Sequence, residues 1–137
     1  MSFPAFFDAA PVVRTRDPLA TLLGATEDGV IDYHYADAVR LAGHSCPTVA
    51  GAFFTGRAAL AALYPGTVPE RGGVEVTLPD AENAGVTGAI AQVLTLLTGA
   101  AADIWIQGTG RSLRAQPSAA LRLCFSDRRH RFPPPRQ

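Results

Sequence analysis

The stretch "AGHSCPTVAGAFFTGRAALAALYP", residues 42–65, decides the fold, because it closes one helix, turns, and opens a longer one. Gly43 stands where a left-handed residue ends a helix. Pro47 has no amide hydrogen to leave unsatisfied, so it suits the first position of the next helix. Cys46 then becomes the N-cap. The small and apolar run continues to Tyr64, and "PGTVPERGG", residues 65–73, stops it with two prolines and three glycines. Upstream, Tyr35, Ala38, Val39 and Ala42 recur at helical spacing, and Asp32 is the expected cap of that earlier helix.

Outward from these helices the pattern changes. "VEVTL", residues 74–78, alternates apolar and polar side chains and predicts a half-buried strand. "AGVTGAIAQVLTLLTG", residues 84–99, predicts a third helix, with a stripe of Val86, Ile90, Val93, Leu94 and Leu97 and a stop at Gly99. "DIWIQG", 103–108, and "AALRLCF", 119–125, are candidate strands. "GTGRS", 108–112, reads as a turn in preference to an anion cradle built on Arg111. Residues 1–22, punctuated by Pro4, Pro11 and Pro18, read as an extended arm with a short helix near Leu19. The order ααβαββ predicts an α+β domain, with helices packed on one face of a small antiparallel or mixed sheet. One domain is expected over residues 1–127. The tail "RRHRFPPPRQ", 128–137, is expected to be extended, basic and proline-rich.

Composition narrows the function classes. The chain has 137 residues, 47% hydrophobic and 18% charged, which is a globular balance. Its formal net charge of zero argues against a nucleic-acid partner. All twelve basic residues are arginine, so a catalytic lysine is excluded. The opening "MSFPAFFDAAPVV" lacks a basic region and carries Asp8, so it does not read as a secretory signal. The longest apolar stretch, Val86 to Ala102, is broken by Thr, Gly and Gln, and no membrane partner is expected. A reducing cytoplasm is the expected compartment, since the spacing of the two cysteines asks for no disulfide.

The helices are rich in small residues. Glycine is about 1 kcal/mol worse than alanine inside a helix, so Gly51, Gly56, Gly85 and Gly88 imply close approach of something. Helix against helix is one reading, and a ligand over bare backbone is the other. Self-packing of these faces predicts a homodimer.

The chemistry concentrates at His44 and Cys46. A thiol at a helix N-cap lies beside free amides at the positive end of the helix dipole, which favours the thiolate. His44 lies just outside the helix, within reach of the same space. The pair is a candidate metal site. In the alternative reading it is a catalytic pair, with Cys46 as nucleophile and His44 as its acid/base partner. In a third reading the chain is a dimerising interaction domain, and the motif is only a cap.

The same residues carry a resemblance. "AGHSCPTVAGAFFTGRAALAALYP" looks like the opening of the FmdE-like family, related to a protein encoded with molybdenum formylmethanofuran dehydrogenase. That family typically shows H-G-H-x-C-P-G before a long helix. It then has a Glu-Asn segment and a helix patterned A-I-Q-V-L-T-G, which "AENAGVTGAIAQVLTLLTG", residues 81–99, resembles. The likeness spans residues 32–108. Departures are clear: Ala42 falls on the family's first histidine and Thr48 on its glycine, and a cysteine common near the Glu-Asn segment has no counterpart. The cysteine-rich zinc module of some relatives is absent, leaving Cys124. The resemblance implies His44 and Cys46 as metal-site residues, with Glu82 and Asn83 as neighbours at the cofactor. It implies a fold and a site more than a reaction.

Zinc takes four ligands, or three with water, so His44 and Cys46 need help from Cys124 or Glu82. His34 lies roughly 12 Å along its helix and could reach the site only from a second subunit or across a fold-back. His130 belongs to the tail and reads as solvated. Two ligands are enough for an open metal site or for haem. A slot lined by Phe53, Phe54 and Trp105 would suit that flat macrocycle.

Overall fold

In a computed structural model the chain is described over residues 1–78 and 85–100, together with the backbone of two later strands. A 3-10 turn, Ala5–Ala9, leads into β1, Val13–Arg16. Helix α1, Pro18–Leu22, begins at Asp17, whose carboxylate accepts from the Leu19 amide at 3.0 Å. Strand β2, Val30–Tyr33, pairs antiparallel with β1, setting Val13 opposite Tyr33 and Arg16 opposite Val30. The expected extended arm is thus half of a two-stranded ribbon. Val13 and Thr15 point inward while Arg14 and Arg16 face water, so one inner position is a threonine and the apolar alternation is weak in sequence.

Helix α2, Tyr35–Ala42, starts two residues later than a cap at Asp32 requires. Asp32 lies in β2 and is gripped by Arg14, with both oxygens 2.7 Å from guanidinium nitrogens. His34 is the N-cap, and its amide donates to Asp37 at 2.8 Å. The end is as expected: Gly43 has φ 81° and its amide donates to Val39. Helix α3, Pro47–Leu63, follows with Cys46 as its N-cap. Helix α4, Thr87–Thr98, ends at Gly99 with φ 70°.

Strand β3, Val74–Leu78, is the middle of a mixed sheet. Strand β4, Leu113–Ala115, runs parallel to it on one side, and β5, Cys124–Asp127, antiparallel on the other. The fold is α+β. Val74, Val76 and Leu78 are buried, and so is Glu75 on the opposite face, so β3 is covered on both sides where its alternation predicts one. Phe53 and Leu60 of α3 and Leu94 and Leu97 of α4 are almost fully enclosed beside it.

The α3–α4 contact explains one glycine. A Cβ on Gly56 would stand 2.8 Å from Leu97 Cδ1 and 3.2 Å from Leu94 Cδ2, so a helix makes the close approach there. Gly51 and Gly85 have nothing within 4 Å, and Gly85 precedes α4 with φ 53°. On α4, Val93, Leu94 and Leu97 are buried but Val86 is exposed, because it stands at the N-cap outside the packed turns. Arg71 holds the other end of α4. Its guanidinium donates to the carbonyls of Leu96 and Thr95 and pairs with Asp17 at 3.0 Å.

Several expectations fall outside the described residues: the segments 103–108 and 108–112, most of 119–125, the tail 128–137 with His130, and Glu82, Asn83 and Trp105. Among the described residues no helix is long and apolar enough to cross a membrane.

Candidate thiolate site

Two helix boundaries four residues apart build the site. Gly43 reverses the chain out of α2, and Cys46, extended at φ −148° and ψ 169°, launches α3 with Pro47 as its first residue. The Cys46 carbonyl accepts from the Ala50 amide at 3.0 Å, which fixes the backbone beneath the thiol. The side chain is partly exposed.

The first turn of α3 acts on this sulfur. The Val49 amide lowers the thiol pKa below its ordinary value of 9.0, and His44 and the Thr48 amide add to the effect, against a smaller rise from desolvation. No amide makes a strict cap hydrogen bond to Sγ. Sulfur is large and diffuse, and amides converging at a helix start stabilise its anion at longer range.

His44 is exposed, and its Nδ1 lies 3.1 Å from the Ala42 carbonyl oxygen. A carbonyl can only accept, so this contact puts a proton on Nδ1. Between the pair, Ser45 Oγ is 2.7 Å from the hydroxyl of Tyr35, a residue 7% exposed at the start of α2.

Cys46 opens onto an apolar groove of about 570 Å³. Its walls come from the N-terminal segment (Phe6, Phe7 and Pro11) and from Pro47, Ala50 and Phe54 of α3, with Tyr35, Ser45 and Cys46 at the polar side. Phe6 is 71% exposed and Phe54 45%. Of the two expected aromatics on α3, Phe54 lines the groove. Phe53 does not: it is completely buried, edge-on to Tyr35 with centroids 5.6 Å apart. The next residue of a helix turns by about 100°, so adjacent phenylalanines cannot share one face.

No protein-family model matches this chain, and no curated protein or solved structure does.

The structure places Cys46 and Phe54 on one groove and His44 beside Cys46. His34 caps the far end of α2, eight helical residues from Gly43. Among the described residues no three His, Cys, Asp or Glu side chains gather as a metal cluster. Cys124 lies on β5, where only the backbone is described, and Glu82 and Asn83 lie outside the described residues. Sequence reasoning missed Phe6 and Phe7, Tyr35 as a polar contact, and Ser45 as its partner. The signal for the first two was the Phe-Phe pair inside a segment read as an arm.

Proposed function

We propose that this chain binds a transition-metal centre through Cys46 with His44 beside it, and that haem is the occupant the donor set fits best. The observation that carries the reading is the coincidence of one activated thiol with an apolar, aromatic-walled groove. Haem needs only one or two protein donors and a flat apolar slot, whereas zinc needs at least three donors. The chemistry of the residues fits: a thiolate is a known axial ligand, and Phe6 and Phe54 offer ring surface to a macrocycle. When bound, haem would supply redox or gas-ligand chemistry, so the protein would act as a carrier or redox sensor. His44 has an arrangement common in metal ligands, with Nδ1 3.1 Å from a backbone carbonyl oxygen. Zinc becomes the better occupant if Cys124 or Glu82 closes on the same sulfur. Membership of the FmdE-like family belongs to this proposal and rests on the two residue blocks quoted above. A second copy of the chain is the proposed protein partner, and the thiolate suits work in a reducing cytoplasm.

The test is a visible absorption spectrum with elemental analysis on purified protein, repeated after adding hemin. A Soret band is expected, lost in Cys46→Ala while the circular dichroism stays native. Retention unchanged by Cys46→Ala, or neither haem nor metal taken up by the wild type, sinks the reading.

The lowered thiol pKa favours a second reading, in which Cys46 is a nucleophile and His44 its acid/base partner. No bound metal, combined with alkylation of Cys46 at a pH well below that of an ordinary thiol, selects it. An inert Cys46 with no metal leaves the dimerising interaction domain.

A further inference from the structure

The apolar groove is one end of a longer feature. The N-terminal segment runs alongside α3, and the two leave a crease between them. Phe6, Pro11, Ala50 and Phe54 line its first half, a space of about 570 Å³. Val12, Arg57, Ala61 and Tyr64 line its second, of about 410 Å³. Positions 50, 54, 57, 61 and 64 recur at the spacing of one helix face, and Arg57 is the one charge among them. Phe6, Val12 and Phe54 are all exposed. Contiguous apolar surface of this kind marks a place where something binds.

What can reach the crease is set by where the chain goes next. Strand β5 lies beside α3, and its last residue, Asp127, stands opposite Val74. Val74 follows Gly73, where a Cβ would stand 3.0 Å from the Tyr64 hydroxyl. The chain therefore leaves β5 at the Tyr64 end of the crease, with "RRHRFPPPRQ", residues 128–137, still to place. Consecutive prolines favour the polyproline helix, in which this segment spans about 31 Å. The distance along α3 from Tyr64 back to Ala50 is about 21 Å. Phe132 comes about 16 Å along such a tail. Phe54 lies about 15 Å along the helix from Tyr64. Three residues per turn put Phe132 and Pro135 on one side of the tail, and Arg128 and Arg131 on another.

We propose that residues 128–137 dock in this crease as an extended strap, with Phe132 and Pro135 against Phe54 and Phe6, and with Arg128 and Arg131 turned to water. Proline-rich segments fit aromatic-lined grooves because their backbone is already ordered, so docking loses little entropy. A short tether also holds the tail at about millimolar effective concentration, so weak contacts suffice. The inference rests on the crease alone and needs no metal, haem or reactive thiol. A haem entering the groove would have to displace the strap.

The experiment uses the full chain with the photoreactive residue p-benzoylphenylalanine in place of Phe54, and separately in place of Ala61. Both positions are exposed, so the fold is spared. After irradiation, gels separate adducts of monomer and dimer mass, and peptide mass spectrometry locates the captured residues. The probe at 54 is expected to capture residues 132–136, and the probe at 61 residues 128–131, both at monomer mass. Changing Phe132 and Pro133, Pro134 and Pro135 to serine should cut capture at 54 by about fivefold. Dimer-mass adducts at 54 would put a second copy in the crease and overturn the proposal. Adducts to other segments, the reverse order along the tail, no capture at all, or capture indifferent to the serine changes overturn it equally. Because neither haem nor metal enters the readout, failure of the strap leaves the metal reading standing, and failure of the metal reading leaves the strap.

Discussion

Gly51 and Gly56 lie on the same helix, five residues apart, and the sequence offers one reading for both. Their surroundings differ completely. Gly56 is buried against Leu94 and Leu97 of α4, while Gly51 is exposed with nothing within 4 Å. Five residues turn a helix by about 140°, so one glycine looks into the core and the other away from it. The same helix thus has a closed face, which fixes the fold, and an open face and end, which present Cys46 and Phe54. A small residue marks close packing only where a neighbour is present to use the space.

The largest effect should come from spoiling the closed face. Gly56→Val would drive branched methyls into Leu97 Cδ1 and Leu94 Cδ2, both in fully buried side chains with little room to give. Overpacking of this kind costs about 1–3 kcal/mol, with the β-branched residue gaining little back in helix propensity. Chemical denaturation should show a lower midpoint with an unchanged slope. An unaffected midpoint would mean that α3 and α4 do not lie this close.

How much of this was legible follows from the range of each interaction. Helix ends are local, so Gly43, Pro47 and Gly99 announced themselves, and Cys46 at the N-cap came with them. The β1–β2 ribbon was hidden because Thr15 occupies an inward position and Arg14 and Arg16 flank it, which blurs the period-two signal. Asp32 was misread as a helix cap because the competing partner, Arg14, is 18 residues away. The groove was not legible at all. Its walls join residues 6–11 to residues 45–54, and no local pattern reports that Phe6 and Phe54 meet across it. His44 and Cys46 could be found because they are neighbours in sequence. Tyr35 could not, since its helical spacing accounts for its ring and says nothing of its oxygen.

The open face predicts the opposite sign and a smaller size. Gly51→Ala adds a methyl into free space within α3 and removes a glycine from a helix interior. Stability should rise by up to about 1 kcal/mol. For a domain of this length that is about 3–5 °C in Tm. The variant also sharpens the dimer reading. A stabilised monomer whose self-association weakens, measured by sedimentation, puts the partner's backbone against Gly51; unchanged association removes Gly51 from that interface.

The smallest effect should come from the ion pairs, where burial again separates two regions. Arg71 and Asp17 keep only 19% and 9% of their side chains exposed, whereas Arg14 and Asp32 keep 62% and 36%. Hydrogen bonding from Arg14 lowers the Asp32 pKa below its usual 3.8. A carboxyl whose folded pKa is depressed stabilises the fold above its unfolded value and loses that contribution as pH falls through the folded one. Wild type should therefore exceed Asp32→Asn in Tm at neutral pH, with the two curves converging only below the ordinary carboxylate range. Because the pair is solvated, about 1 M salt should erase the difference. A gap that persists in salt would show that the β1–β2 ribbon relies on Asp32 through packing as well as charge.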